Sequence, residues 1–171
     1  MLPAKARVPT HVLNPCMLSV HREEHVVSTL LGSCIAVCLW DARQGIGGMN
    51  HYMLPLWHGR GLPTPRFGNI AIEKLIQNLA ALGSRKEQLV AKVFGGANVV
   101  GAPTGHFPIG TRNFLLAEEL LGAHGIPIVA KEVGGDRAMK IDFNTKDGSV
   151  ILRKVARQEW APRTLPDLRP R

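Results

Sequence analysis

The chain has 171 residues, of which 45% are hydrophobic and 20% charged, a composition typical of one folded domain and not of a disordered or fibrous protein. Its net charge of +8 predicts an acidic partner, but the few aromatic residues argue against nucleic acid. No apolar run approaches the roughly 20 residues of a membrane span, and the first residues lack the apolar stretch of a secretory signal. We therefore expect a cytoplasmic protein without membrane insertion, whose three cysteines are free thiols.

The first third of the chain is predicted to form short strands after an irregular segment, 1–15. These strands are rich in β-branched and apolar residues, and they lie at 16–20, 25–31, 34–41 and 45–55. The sequence DARQG at 41–45 favours a hairpin turn between the last two strands. Residues 57–67 contain many glycines and prolines and are predicted to form a loop.

Two helices are predicted from the spacing of apolar residues. In residues 69–83 these residues recur at helical intervals, with Asn69 as the expected N-cap and Gly83 as the terminating residue. The second helix is predicted to begin near Thr111 and to end at residue 125.

The remaining strands are predicted in the second half of the chain, at 88–96, 126–133, 138–143 and 149–155. The sequence NTKDG, at 144–148, favours a hairpin turn between the last two. Some strands are adjacent along the chain and others are separated by a helix, which predicts a mixed α+β or α/β fold built as a layered sandwich. We expect a single domain over 16–155, followed by a basic, proline-containing tail at 156–171.

A cysteine and a histidine stand out as candidates for chemistry. Cys34 follows the sequence LGS at the start of a predicted strand, where a thiol is expected to be partly exposed and surrounded by backbone amides. These conditions favour a nucleophilic thiolate. His51 lies in the neighbouring strand of the predicted hairpin, which brings it toward Cys34. A histidine within hydrogen-bonding reach of a cysteine can hold its proton and later transfer that proton to a leaving group.

Other uses of these residues remain open at this point. Free cysteines are most often buried in the core, and Cys38 is interpreted in this way, whereas for Cys16 the sequence indicates no nearby partner. A metal held by Cys34, Cys38 and His51 is disfavoured, because no second pair of cysteines or histidines completes a zinc site. The glycine-rich segment after Phe94 lacks the motif of a phosphate-binding loop. No cofactor is therefore expected.

Five segments resemble, in order, the motif blocks of the CheD family, the chemoreceptor glutamine deamidases of bacterial chemotaxis. They are STLLGSCIAVCLWD, GIGGMNHYMLP, KVFGGA, IGTRN and VGGDRAMKIDFNTKDGSV. The resemblance covers about residues 16–153. It implies a three-layered α/β sandwich related to toxin-type deamidases that use a Cys–His pair, with Cys34 as the nucleophile and His51 as the base. The family's third residue is a threonine a few positions before the cysteine, for which Ser28 and Thr29 are both candidates.

The activity that the resemblance implies is that of a protein-glutamine glutaminase, an amidohydrolase. The Cys34 thiolate would attack the carboxamide of a substrate glutamine to give a thioester, which water would hydrolyse to glutamate. Backbone N–H groups around Gly32 and Ser33 are the expected oxyanion donors. Hydrolysis of glutamyl methyl esters would follow the same steps. Arg112 and Asn113, in the IGTRN block, are expected to be exposed helix residues, with a substrate contact as the alternative.

The expected partners are the cytoplasmic domains of chemoreceptors, and the resemblance adds a CheC-type phosphatase. The rival function is that of a non-catalytic adaptor that binds receptors or such a phosphatase. The intact pair of Cys34 and His51 favours the enzyme, because an adaptor would have no reason to keep it.

Overall fold

The structure, a computed structural model, describes residues 7–99 and 107–156. Within these residues the chain forms nine strands, two α-helices and one short 3-10 helix. In chain order they are β1 (Thr10–Val12), β2 (Met17–His21), β3 (Val26–Leu31), β4 (Ile35–Asp41), β5 (Ile46–His51), α1 (Gly68–Ala81), the 3-10 helix (Lys86–Gln88), β6 (Leu89–Gly95), α2 (Ile109–Ala123), β7 (Ile128–Val133), β8 (Met139–Asn144) and β9 (Val150–Lys154).

The strands form two sheets that pack face to face, and the two helices cover the outer side of the larger sheet. The smaller sheet has four strands in the order β1-β3-β8-β9, and the larger has five in the order β2-β5-β4-β6-β7. One core lies between the sheets and includes Val27 and Phe143. The other core lies between the five-stranded sheet and the helices and includes Leu75 and Leu121. The predicted layered α/β sandwich is therefore confirmed.

The strand β4 lies inside the five-stranded sheet, where β5 and β6 bond to it on either side. Val37 faces the helices, whereas Cys38, one residue later, faces the four-stranded sheet. Because both faces of β4 are buried, its sequence is a nearly continuous apolar run and shows little alternation.

The predicted strands correspond to β2 through β9, but two details of the prediction are wrong. The segment predicted to be irregular contains β1, a strand of three residues that pairs in parallel with β3. The N-cap of α1 is Phe67, and Asn69 lies in the first turn, where its side chain accepts a hydrogen bond from the backbone N–H of Trp57 at 3.0 Å. The second helix begins at Ile109, within two residues of the predicted start.

The basic tail lies outside the described residues from position 157 onward, as do residues 1–6. Among the described residues, no helix combines the length and the hydropathy that crossing a membrane requires.

Two glycines bring the start of α2 against the end of β6. A Cβ atom on Gly110 would lie 2.2 Å from the carbonyl oxygen of Gly96, so only hydrogen fits at this position. Gly96 has a φ of +68°, which glycine adopts at little cost. The N–H of Gly96 also donates to the carbonyl of Cys34 at 2.8 Å. The close approach of these two backbones therefore places the start of α2 beside Cys34.

This contact predicts opposite effects for the same substitution at the two ends of α2. Gly110→Ala should lower the free energy of unfolding by about 1–3 kcal/mol, because its methyl group collides with rigid backbone. Gly122→Ala is the matched control. A Cβ atom there meets nothing within 4 Å, and the better helix propensity of alanine should raise the stability by about 0.5–1 kcal/mol. Urea denaturation measures both changes, and equal effects at the two sites would contradict the contact.

Candidate active site

Cys34 and His51 lie on the same face of the five-stranded sheet. Cys34 directly precedes β4, and His51 is the last residue of β5. The antiparallel pairing of Ile35 with Tyr52 makes Cys34 and His51 diagonal neighbours, a relation that places two Cα atoms about 7–8 Å apart. Cys34 packs against the core between the two sheets, and His51 points toward the same side, where it meets Thr29 of β3. The fold therefore places the predicted nucleophile and base at neighbouring strand ends on one face of the sheet.

Thr29 fixes the protonation of the His51 ring. Its hydroxyl group donates to the carbonyl oxygen of Leu13 at 2.7 Å, and its oxygen lies 2.8 Å from Nδ1 of His51. A hydroxyl has one hydrogen, and a carbonyl can only accept, so toward the imidazole the hydroxyl of Thr29 must be the acceptor. Nδ1 of His51 therefore carries the proton, and Nε2 is left with its lone pair.

The second ring nitrogen of His51 is a buried acceptor. The side chain of His51 is almost fully enclosed, and Nε2 has no hydrogen-bond partner among residues 7–99 and 107–156. Burial lowers the pKa of His51 to about 4, so the imidazole is neutral at physiological pH. A neutral imidazole with a free Nε2 can accept a proton from a thiol on the same face of the sheet.

Cys34 is half-buried and protonated at rest. Burial, with a smaller contribution from nearby Cys16, raises the pKa of the Cys34 thiol to about 11, while its own backbone N–H acts in the opposite direction. This differs from the expected thiolate. The cause is the apolar core beside Cys34, which disfavours charge on sulfur and on His51 alike. Burial therefore favours a neutral thiol and a neutral imidazole in the resting site.

Hydrogen bonds to three consecutive backbone carbonyl groups, at residues 32–34, hold the chain around Cys34. Those of Gly32 and Cys34 accept hydrogen bonds from backbone N–H groups at positions 96–97, at 2.9 and 2.8 Å. The carbonyl of Ser33 accepts from Nδ2 of Asn113 at 3.1 Å. In a trans peptide the N–H points away from the carbonyl, so these contacts also fix the directions of the Ser33 and Cys34 N–H groups. These two N–H groups are the candidate oxyanion donors.

The structure separates the two candidates for the third residue. Thr29 faces the core between the sheets and contacts His51, whereas Ser28 lies on the opposite face of β3. Ser28 pairs with Asp142 of β8, and it lines a groove of about 850 Å³ that Thr29 also borders. The hydroxyl next to the base is therefore that of Thr29.

The other two cysteines occupy different surroundings. Cys38 is buried in the core between the sheets. Cys16, for which the sequence indicated no partner, lies beside the site. Its backbone N–H donates to the carbonyl of His51 at 2.8 Å, and its sulfur lies 3.4 Å from that of Met53.

Two residues that hold the site are not among those predicted from the sequence. Leu13 acts through its backbone carbonyl, which no side-chain pattern reveals. Asn113 was predicted to be exposed, and this prediction is wrong, because its side chain is fully buried. Its spacing from Leu116 and Ala117, three and four residues later, places it on the buried face of α2 and could have shown this.

The arrangement can perform thiol-dependent acyl transfer. It provides a sulfur nucleophile, a neutral base on the same sheet face, a hydroxyl that orients the base, and fixed backbone N–H groups beside the nucleophile. Among the described residues, no group of three or more histidine, cysteine or acidic side chains is arranged to hold a metal ion.

Comparisons with known proteins identify the family. A family profile described as "CheD chemotactic sensory transduction" matches residues 53–154. A protein of Trichlorobacter lovleyi, named "Probable chemoreceptor glutamine deamidase CheD", is 50% identical over 148 residues, which cover 86% of this chain and 92% of that protein. A protein of the same name from Sulfurimonas denitrificans is 45% identical over 137 residues, covering 79% of this chain and 87% of that protein. The chain belongs to the CheD family.

One solved structure is similar at a much lower level. It is described as Neisseria meningitidis protein NMB0706, of the family DUF152, and it has 13% sequence identity and a TM-score of 0.44, covering 75% of this chain and 63% of that chain. A likeness of this degree supports no inference about function.

The neutral resting state predicts how Cys34 responds to pH. With a pKa of about 11, only about one thiol in a thousand is ionised at pH 8, so alkylation by iodoacetamide should be slow at neutral pH and rise steadily up to about pH 11. His51→Asn should change the rate little near pH 7, because a neutral imidazole does not stabilise a thiolate. Peptide mass spectrometry follows each cysteine separately, with buried Cys38 as the unreactive reference. An inflection below pH 8 that disappears in His51→Asn would show an ion pair instead.

Proposed function

We propose that this protein deamidates glutamine side chains of chemoreceptors, with Cys34 as nucleophile, His51 as base and Thr29 as the residue that orients the base. The observation that carries the proposal is the hydrogen bond between Thr29 and His51, because it leaves Nε2 of His51 with an unused lone pair that can accept a proton. The names of the two relatives supply the substrate, and the net charge of +8 suits the acidic helices of receptor cytoplasmic domains.

The reaction begins from the neutral pair. As the sulfur of Cys34 attacks the carboxamide carbon, Nε2 of His51 takes the thiol proton, and the carbonyl oxygen becomes an oxyanion near the N–H groups of Ser33 and Cys34. The proton on His51 then passes to the amide nitrogen, the C–N bond breaks, and ammonia leaves a thioester on Cys34.

Hydrolysis of the thioester uses the same groups in a second cycle. His51 takes a proton from water, the resulting hydroxide adds to the thioester carbon, and the C–S bond breaks. The sulfur recovers a proton from His51, and glutamate is released. A glutamyl methyl ester would react in the same way, with methanol as the leaving group in place of ammonia.

The structure of the base supports an enzyme over a non-catalytic adaptor. A buried acceptor without a partner costs about 1–3 kcal/mol of stability. Nε2 of His51 is such an acceptor among the described residues, and a protein that acts only by binding would gain nothing from this cost. We retain a CheC-type phosphatase as a proposed further partner, on the family resemblance alone.

Two cysteine substitutions test the nucleophile. Cys34→Ala should abolish deamidation and leave the fold intact, because the reaction has no other nucleophile. Cys38→Ala is the matched control, and it should keep activity with a modest loss of stability from the smaller core side chain. The measurement is mass spectrometry of a purified receptor cytoplasmic domain, which detects conversion of glutamine to glutamate. Equal activity of Cys34→Ala and wild type would refute the assignment.

Adjacent residues on β3 test the orientation of the base. Thr29→Val keeps the shape of the side chain but removes the hydroxyl, so the His51 ring loses its restraint and kcat should fall about 100-fold. Ser28→Ala removes a neighbouring hydroxyl on the other face of the strand and should leave kcat near the wild-type value. Comparison of kcat for the two variants in the same receptor assay decides the point. A larger loss in Ser28→Ala would reverse the assignment.

A further inference from the structure

We infer that Asn113 is a positioning residue of this site, and that it aims the Cys34 N–H at the oxyanion. The inference rests on the proposed function for its chemistry. Asn113 lies one turn into α2 and is fully buried, and its amide nitrogen donates a hydrogen bond to the loop before Cys34.

The amide of Asn113 joins the two chain segments that carry the nucleophile and the base. Its Nδ2 donates to the carbonyl of Ser33 at 3.1 Å and to the carbonyl of Met53 at 2.9 Å. Ser33 directly precedes Cys34, and Met53 lies two residues after His51. The pairing between these segments ends nearby, where the backbones of Ile35 and Tyr52 bond to each other, and the amide connects the two segments just beyond that pair.

Asn113 is itself held in place from two directions. The hydroxyl of Tyr52 donates to the backbone carbonyl of Asn113 at 2.6 Å. The preceding turn of α2 rests on Gly96 through the close contact of Gly110. A side chain fixed at its own backbone can orient another group with little loss of precision.

The consequence for catalysis follows from the geometry of one peptide. The carbonyl of Ser33 and the N–H of Cys34 belong to the same planar unit, so holding the oxygen fixes the direction of the hydrogen. The Cys34 N–H is a candidate oxyanion donor beside the sulfur. Loss of the Asn113 amide therefore frees this peptide to rotate and weakens stabilisation of the oxyanion, while the sulfur itself stays in place.

The test compares two reactions of Cys34 that differ in their need for oxyanion stabilisation. Acylation by p-nitrophenyl acetate passes through a tetrahedral oxyanion, whereas alkylation by iodoacetamide displaces iodide and forms none. Asn113→Ala should slow acylation, and lower kcat for receptor deamidation, by about 10-fold to 100-fold, with KM little changed. Alkylation of Cys34 at a fixed alkaline pH should stay close to the wild-type rate.

The control for lost stability is Asn69→Ala. Asn69 also lies in the first turns of a helix and bonds to a loop backbone, that of Trp57, but it does not contact the Cys34 loop. It should lower the melting temperature without the loss of acylation. If Asn113→Ala does not fold, Tyr52→Phe replaces it, because this change removes only the hydroxyl that holds Asn113 and should produce a smaller loss with the same pattern.

The outcomes are distinct. Slower acylation with preserved alkylation supports the inference. Unchanged acylation, or parallel loss of acylation and alkylation, overturns it and leaves Asn113 a structural residue. Because p-nitrophenyl acetate is independent of the receptor, a wild-type protein that is acylated at Cys34 but does not deamidate receptors would refute the proposed function without affecting the result for Asn113.

Discussion

The candidate site depends on one hydrogen bond that crosses the space between the two sheets. Thr29 belongs to the four-stranded sheet and His51 to the five-stranded sheet, and the hydroxyl of one meets the ring of the other at 2.8 Å. A hydrogen bond of this kind adds only about 0.5–1.5 kcal/mol to stability. Because this is too little to hold two sheets together, the apolar packing of the sheets sets the position of the hydrogen bond. The hydrogen bond in turn determines which nitrogen of His51 can act as a base.

The same packing controls the charge of the site. Enclosure between the sheets lowers the pKa of His51 and raises that of Cys34, so neither group is charged at rest. A thiolate would be a stronger nucleophile in the free protein, but it would also be open to oxidation and alkylation. In the proposed reaction a neutral pair transfers its proton only when the sulfur attacks a substrate, which couples ionisation to the reaction.

The helix layer contributes to the site from the other side of the five-stranded sheet. The contact of Gly110 with Gly96 brings the start of α2 against the strand end next to Cys34. From there the buried amide of Asn113 reaches the loop before Cys34. Each of the three layers thus supplies one restraint. The four-stranded sheet orients the ring of His51, the five-stranded sheet holds Cys34 and His51 on one face, and the helix layer holds the peptide that carries the candidate oxyanion donor.

Hydrophobic periodicity, turn residues and local hairpin connections are short-range properties, so the sequence was enough to predict the layered fold, β2 through β9, both helices, and the position of Cys34 and His51 in neighbouring strands. It left Ser28 and Thr29 undecided. The choice between them depends on which face of β3 packs against the other sheet. Adjacent residues of a strand point to opposite faces, and both can be buried when each face is covered. The contacts of Leu13 and Asn113, and the burial that favours a neutral site, arise only in the tertiary structure. A backbone carbonyl has no sequence signature, and the pKa of a buried group depends on surroundings that come from distant parts of the chain.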